Sequence, residues 1–285
     1  AAFGRTLVDA ARVPGLGERL VTVSPDVSVS TNLGGWINKV GAFGPLPGES
    51  FDDEASDAAF KWKISPQGQH IELGISEMNL FLMLGQLGLT WDYQGEQLFP
   101  VGTLYDPFVA RGLDGLIYSV YSGARFIFAG TPAGISLSRE GGAHQSTITP
   151  GIGMELPGVT YAEPCFAREM EWILLDGLNR LQDPDGEALY LRLSTKPIDQ
   201  KPFADLVAAR GEEAVRADVL AGGFRLREPG GDGGLDDAVV IATCGAIVPE
   251  VLEAARLLEE EGVAATVLVL SSPDRLYRGW RSARL

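Results

Sequence analysis

Residues 238–270 read AVVIATCGAIVPEVLEAARLLEEEGVAATVLVL. Two apolar runs rich in β-branched residues, AVVIAT at 238–243 and AATVLVL at 264–270, bracket a segment with apolar residues at helical spacing. Pro249 suits the first turn of that helix, where its missing N–H costs nothing, and Gly262 suits the left-handed position past its end. A strand, a crossover helix and a second strand of this length make a parallel pair with a right-handed connection. The fold class that follows is α/β.

Working outward, the same rhythm fills the upstream sequence. A short apolar strand at 20–23 (LVTV) ends at Ser24-Pro25-Asp26, and a second strand is expected at 71–75. A helix follows at 77–87, with Ser76 as its N-cap and Leu80, Met83, Leu84 and Leu87 as its apolar stripe. Further elements are a helix within GLDGLIYSVYSG, a strand at 125–129, a helix across 162–181 and a strand at 188–193. Residues 1–196 therefore read as one doubly wound, mostly parallel α/β domain. Between 197 and 237 Gly, Pro and charge accumulate, most densely in REPGGDGGLDD, and this stretch reads as a linker. Residues 238–285 are too few to cover both faces of a second sheet, so a truncated C-terminal α/β domain is expected. The N-terminal segment AAFGRTLVDAARVPGLGERL reads as an amphipathic helix with Phe3, Leu7 and Ala11 on one face. Both ends resemble mid-protein sequence, and a longer parent is expected.

Composition narrows the class of partner. Of 285 residues 45% are hydrophobic and 21% charged, as in ordinary globular domains, and the formal net charge is -15. A polyanion would be repelled, which argues against nucleic acid and anionic membranes as partners. Cys165 and Cys244 are far apart in sequence and read as small buried apolar residues, so a cytoplasmic setting is expected. No apolar run is long enough to span a bilayer.

Three segments carry candidate chemistry: Gly74-Ile75-Ser76-Glu77, the run PVGTLYDPF at 100–108, and EGGAHQS at 140–146. Glu77 falls in the first turn of a helix, where a carboxylate suits the positive end of the dipole. Tyr105 and Phe108, three apart, offer flat apolar surfaces, and His144 sits in a glycine-rich loop. His70, in QGQHIEL, reads as structural.

In this order the segments resemble the pyrimidine-binding domain of thiamine-diphosphate-dependent enzymes, the transketolase and 2-oxoacid dehydrogenase E1 superfamily. GISEMN is similar to the family's Gly-Ile/Val-x-Glu motif, PVGTLYDPF to the aromatic stretch that follows it, and EGGAHQS to its histidine-bearing loop. Ser24-Pro25-Asp26 resembles a Ser-Ala-Asp at the corresponding place, and 238–270 resembles the start of the third transketolase domain. The likeness is greatest to the homodimeric bacterial pyruvate dehydrogenase E1 type. It implies Glu77 as the acid hydrogen-bonded to N1′ of the cofactor's pyrimidine, Tyr105 and Phe108 as its aromatic wall, and His144 as the group meeting substrate. Asp26 is implied near the cofactor. The family's mechanism requires Glu77 to be able to bind a proton, for which a dry apolar wall is expected.

Departures from the pattern carry information too. The family holds diphosphate and Mg²⁺ with a Gly-Asp-Gly followed some distance later by Asn. Here Gly231-Asp232-Gly233 lies in the linker, and no Asn occurs after Asn179. The Mg²⁺ ligands are therefore expected on a diphosphate-binding half outside this chain, and none within it. Where transketolases carry Leu-Ser-Arg-Gln to grip a sugar phosphate, this chain has Leu193-Ser194-Thr195-Lys196. Lysine lacks the bidentate fork of arginine, which points to a small 2-oxoacid substrate, pyruvate above all. The expectation is a homodimer that decarboxylates the oxoacid and hands the acyl unit to a lipoyl acyltransferase component. The alternatives are a transketolase or related ketol transferase and a catalytically silent assembly or regulatory module.

Overall fold

The structure, a computed structural model, describes residues 2–46, 63–134, 142–230 and 238–285. Gly231-Asp232-Gly233, and Glu140 and Gly141 of the histidine loop, lie outside the described residues.

The chain opens with α1 (Ala2–Ala10), β1 (Leu20–Ser24), α2 (Gly34–Val40), β2 (Ala42–Phe43), β3 (Ile64–Ser65) and β4 (His70–Glu72). It continues with α3 (Glu77–Gly88), α4 (Thr90–Gln94), β5 (Phe99–Leu104), α5 (Leu113–Tyr121), β6 (Ile127–Gly130) and α6 (Thr149–Glu155). Then come β7 (Val159–Ala162), α7 (Ala167–Arg180), β8 (Ala188–Arg192), α8 (Lys201–Arg210), α9 (Glu212–Ala221) and β9 (Phe224–Arg227). The last elements are β10 (Val239–Thr243), α10 (Val248–Glu260), β11 (Ala265–Val269) and α11 (Pro273–Ser282).

Strands β1 to β8 form one eight-stranded sheet in the order β3-β2-β4-β1-β5-β6-β8-β7, every pair parallel. Its central strands are buried on both faces, as parallel pairing between layers of helices demands. Leu7, Trp36, Ile37, Ile173 and Leu174 cover one face against Val101, Ile127 and Leu189. Leu80, Phe81, Leu84 and Leu116 cover the other against Val23, Phe126, Phe128 and Tyr190. The doubly wound expectation holds.

The central strand β5 went unread in the sequence because Pro100 and Gly102 are both poor strand residues. Gly102 has a packing reason to be there. A Cβ at 102 would lie 2.6 Å from Leu84 Cδ1, so its absence lets α3 sit close on the sheet. The helix expected across 162–181 needs correcting at its start. Residues 159–162 are strand β7, Pro164 disfavours helical backbone at Glu163, and α7 begins only at Ala167.

The linker expected at 197–237 also needs correcting. Residues 201–227 form α8, α9 and β9. Four apolar side chains hold them: Phe203, Val215, Val219 and Phe224, all buried in the core on the α7 side. Phe203 stacks on Phe166 at 5.0 Å and meets Phe224 at 5.3 Å. Strand β9 leaves the first sheet altogether and pairs antiparallel with β11 in a second sheet ordered β10-β11-β9. Strands β10 and β11 pair parallel across α10, as residues 238–270 implied. This second unit docks on the first through Glu163 N to Ser271 O at 2.9 Å and Ser272 Oγ to Tyr161 O at 2.5 Å.

The two cysteines are free and partly buried. Burial pushes both thiols up, Cys244 to about 11, which disfavours the reactive thiolate. Beside them Glu169 is fully buried in the first turn of α7, its Oε2 accepting from Cys165 N at 2.9 Å and Phe166 N at 3.0 Å. Burial outweighs these bonds and pushes the carboxyl from 4.5 to about 7. The unfolded chain then ionises before the folded one. Stability is lost as pH rises between about 4.5 and 7, by on the order of 3 kcal/mol once the loss is complete. Glu169→Gln, which keeps an acceptor and cannot ionise, should lack that dependence. Urea denaturation from pH 5 to pH 8 is expected to show the wild type losing ground to the variant as pH rises. Parallel profiles would exclude the buried proton.

Candidate active site

Because every strand of the large sheet is parallel, all carboxyl ends open along one edge, where open α/β sheets place ligand crevices. Four of the five expected residues follow such ends directly or in the next turn: Asp26 after β1, Glu77 after β4, and Tyr105 and Phe108 after β5. His144 lies in the connection between β6 and α6.

Glu77 is the first residue of α3, and the Ser76 hydroxyl caps the helix by accepting from Asn79 N at 3.4 Å. Its side chain is buried, only 7% of the residue being exposed. Gly112 permits this seat, since a Cβ there would come 2.6 Å from Glu77 O and 2.4 Å from Phe81. Arg111 reaches in from the mouth, Nη1 3.8 Å from Glu77 Oε1, with its guanidinium carbon 3.8 Å from the centre of the Phe108 ring. A flat, nitrogen-rich cation therefore lies on an aromatic face beside a carboxylate.

Tyr105, Phe108 and His144 do come together. Tyr105 stands edge-on to His144 at 5.1 Å, Phe108 lies 5.7 Å from His144, and the two aromatics are 6.0 Å apart. All three are half-buried. Asp26 is apart from this group. Its side chain is exposed, and only its loop reaches the trio, through Tyr105 OH donating to Ser30 Oγ at 2.9 Å.

The backbone of Asp26 is held in the left-handed region, φ +67°, by a buried polar chain. Trp36 Nε1 donates to Thr22 Oγ1 at 2.8 Å, so the Thr22 hydroxyl proton is free for His70 Nδ1, also 2.8 Å away. That assigns the remaining ring proton to His70 Nε2, which donates to Glu72 Oε2 at 3.1 Å. Glu72 Oε1 accepts the Asp26 N–H at 2.6 Å. Burial pushes Glu72 up, but hydrogen bonds from His70, Ser28 and Asp26 outweigh it and hold the carboxyl below its usual range. His70 is fully buried.

The sequence reading missed Asp106, which lies between the two aromatics and is fully buried. Its carboxylate accepts from Ser146 and Tyr190, from Thr149 Oγ1 at 2.7 Å, and from Arg192 Nε at 3.1 Å. Arg192 also donates to Glu163 Oε2 at 2.8 Å, and Tyr161 OH donates to the same oxygen at 2.5 Å. The one signal available was an acidic residue inside an aromatic run.

A cavity of about 560 Å³ opens between α1, the end of β8 and the second unit, lined among others by Arg5, Asn32, Thr131, Ser194, Thr195 and Lys196. Lys196 is ion-paired with Glu250. Among the described residues no group of three or more His, Cys, Asp or Glu could hold a metal ion, and no helix is long and apolar enough to cross a membrane.

The eight-stranded parallel α/β sheet between its helical layers is transketolase-like in fold. The chain is similar to pyruvate dehydrogenase E1 components in sequence and to transketolases in fold. No family profile matches it. It is 26% identical over 279 residues to the pyruvate dehydrogenase E1 component of Mycolicibacterium smegmatis, covering 96% of this chain and 29% of that protein. The chain thus spans about three tenths of the length of the curated relatives it matches first. A transketolase mutant from Pichia stipitis superposes with a TM-score of 0.71 at 16% identity, over 97% of this chain and 35% of the other. A solved split gene transketolase, an inactive beta4 tetramer, matches with a TM-score of 0.65 at 22% identity, over all of this chain and 75% of its own.

The polar chain behind Asp26 makes a prediction about stability. His70→Phe fills the space but leaves the Thr22 hydroxyl and the Glu72 carboxylate short of a partner in a buried setting. A loss of about 2–3 kcal/mol is expected in urea denaturation. A change within about 0.5 kcal/mol, the range of ordinary surface substitutions, would mean that the chain does not order this end of the sheet.

Proposed function

We propose that this chain supplies the pyrimidine-binding half of a thiamine-diphosphate site in a 2-oxoacid dehydrogenase E1, acting on pyruvate and passing the acyl unit to a lipoyl acyltransferase component. The observation that carries the reading is the juxtaposition of the buried Glu77 carboxylate, the Phe108 face and a flat nitrogen-rich group between them. The Arg111 guanidinium is a fair chemical stand-in for an aminopyrimidine, since both are planar, carry N–H donors and rest on an aromatic face. The Arg111 side chain is 57% exposed and its contact with Glu77 is long, so a ligand displaces it at a cost of about 1 kcal/mol or less.

Bound thiamine diphosphate supplies a carbanion-forming carbon and an electron sink for decarboxylation. Glu77 holds a proton at N1′ of the pyrimidine, while Tyr105 and Phe108 orient the ring without competing for its hydrogen-bonding edge. His144, edge-on to Tyr105, donates to oxygen on the substrate side. Asp26, exposed after β1 and apart from the trio, keeps only the role near the cofactor that the resemblance implies. The diphosphate and its Mg²⁺ belong to the complementary half of the site.

That half arrives across a subunit contact. Helices α3 and α5 pack together, with Gly85 against Ser119, and expose Leu82, Ile117, Tyr118 and Tyr121 on their outer side. Exposed apolar surface of this kind supports an assembly of at least two chains. The split gene relative, solved as an inactive tetramer, supports the reading that a chain of this size alone does not turn over.

The 2-oxoacid reading rests on Lys196, whose charge is engaged by Glu250 and which lacks a bidentate fork. A ketol transferase is the second reading, favoured by Arg5 in the wall of the same cavity.

Two experiments test these readings in the assembled enzyme. Glu77→Gln should slow hydrogen–deuterium exchange at C2 of the bound cofactor by about a hundredfold or more, as expected for loss of an acid–base group. Exchange at the wild-type rate would remove Glu77 from that role. Pyruvate should be decarboxylated with ferricyanide as acceptor, while xylulose 5-phosphate should turn over about one to two decades more slowly for want of charge-assisted phosphate contacts. Equal rates would transfer the assignment to the ketol transferase.

A further inference from the structure

We infer that Asp106 is a positioning residue for His144, fixing the histidine loop against the aromatic wall. The inference rests on the proposed reading only for its consequence in turnover; the positioning itself is a matter of this chain's geometry. His144 stands in a short 3-10 turn, Gly142–His144, and two of the four side chains donating to Asp106 follow it closely. Ser146 and Thr149, two and five residues further on, are both buried and both give their hydroxyl protons to Asp106 Oδ2. Arg192 grips the same segment from the sheet, Nη2 reaching Ser146 O at 2.8 Å and Ser146 Oγ at 3.0 Å. The Ser146 N–H closes the register on Gly134 O at 3.1 Å.

Asp106 also belongs to the aromatic segment, between Tyr105 and Phe108. A carboxylate serving the sheet alone would be answered by Arg192 and Tyr190. The hydroxyls of Ser146 and Thr149 go beyond that need, and they tie the histidine loop to the segment bearing the two rings that His144 touches. A hydroxyl can turn toward many acceptors, so two such donors converging on one oxygen define a docking point for the loop. The edge-on geometry of His144 to Tyr105, 86° between ring planes, is the product of that docking.

The chain has only two histidines, which makes the test direct. Ring carbon–proton correlations by NMR should give two sets of signals, with Glu72-bound His70 as an internal control of the fold and His144→Gln supplying the assignment. The double variant Ser146→Ala, Thr149→Val removes both loop donors and leaves Asp106 with Arg192 and Tyr190. His144 signals are expected to lose their ring-current shifts and move to those of a free imidazole, with His70 unmoved. Thr149→Ser, which keeps the hydroxyl, should leave both sets in place. Asp106→Asn is a second route to the same release wherever the His70 signals show that the fold survives. Unmoved His144 signals in the double variant would overturn the inference. In the assembled enzyme the double variant should lower kcat about tenfold or more, with KM for the oxoacid little changed. Displaced His144 signals with full turnover would support the clamp and instead sink the assignment of His144 to the substrate.

Discussion

Parallel pairing along the central strands is the constraint from which the rest follows. Strands β4, β1, β5, β6 and β8 run side by side in one direction, so each ends at the same edge and each connection must cross a face of the sheet. The crossings lay helices on both faces and bury the middle strands completely. The edge is left with what helices cannot cover: loop starts, helix N-termini and the first polar residue after each strand. Asp26, Glu77, Tyr105, Asp106, Glu163 and Arg192 are all such residues or their near neighbours. Their shared edge is a product of topology, since they are drawn from segments separated by up to most of the length of the domain.

A chain with a formal charge of -15 that buries several carboxylates must answer each one differently. Asp106 and Glu163 share the Arg192 guanidinium and are further satisfied by hydroxyls. Glu72 is answered by neutral donors and a histidine. Glu169 has backbone donors but no cation, and is the one pushed up to about 7. Glu77 has the helix N-terminus beneath it and a half-exposed arginine at long range. In the last the cation lies 3.8 Å from the carboxylate, longer than the bonds that hold the others.

What could be read in the sequence divides along physical lines. Local signals were legible: Ser76 before an apolar stripe marked α3 and put Glu77 in its first turn, and two β-branched runs around a capped helix marked β10, α10 and β11. The trio of Tyr105, Phe108 and His144 was legible through family resemblance alone, because nothing in the spacing brings residue 144 to residue 105. Strand β5 was illegible because Pro100 and Gly102 disguise it, their tolerance depending on the neighbours they meet. Helices α8 and α9 and strand β9 were illegible because four apolar anchors are spread among many charges, and only their convergence on the α7 side reveals a core. Asp106 and Arg192 lie 86 residues apart, and a buried pair at that separation has no sequence signature at all.

The same buried pair is linked through Glu163 to the place where the second unit packs. Gly245, at φ +61°, brings the unit's backbone so close to Glu163 that a Cβ there would lie 2.7 Å from Oε1. Glu163 is bonded to Arg192, Arg192 to Asp106, and Asp106 to the loop that carries His144. Each link is short, nearly dry and geometrically specific, which is the condition under which a displacement at one end is not absorbed by solvent. The histidine loop and Glu163 thus share one guanidinium, while the second unit is held by Ser272 on Tyr161 and by Arg275 and Arg278 on Asp176 and Glu187. A transketolase-like sheet could hold its loops by apolar packing alone. Here a charge network of Asp106, Arg192 and Glu163 helps to hold the histidine loop, and its Glu163 end lies against the backbone of the second unit at Gly245.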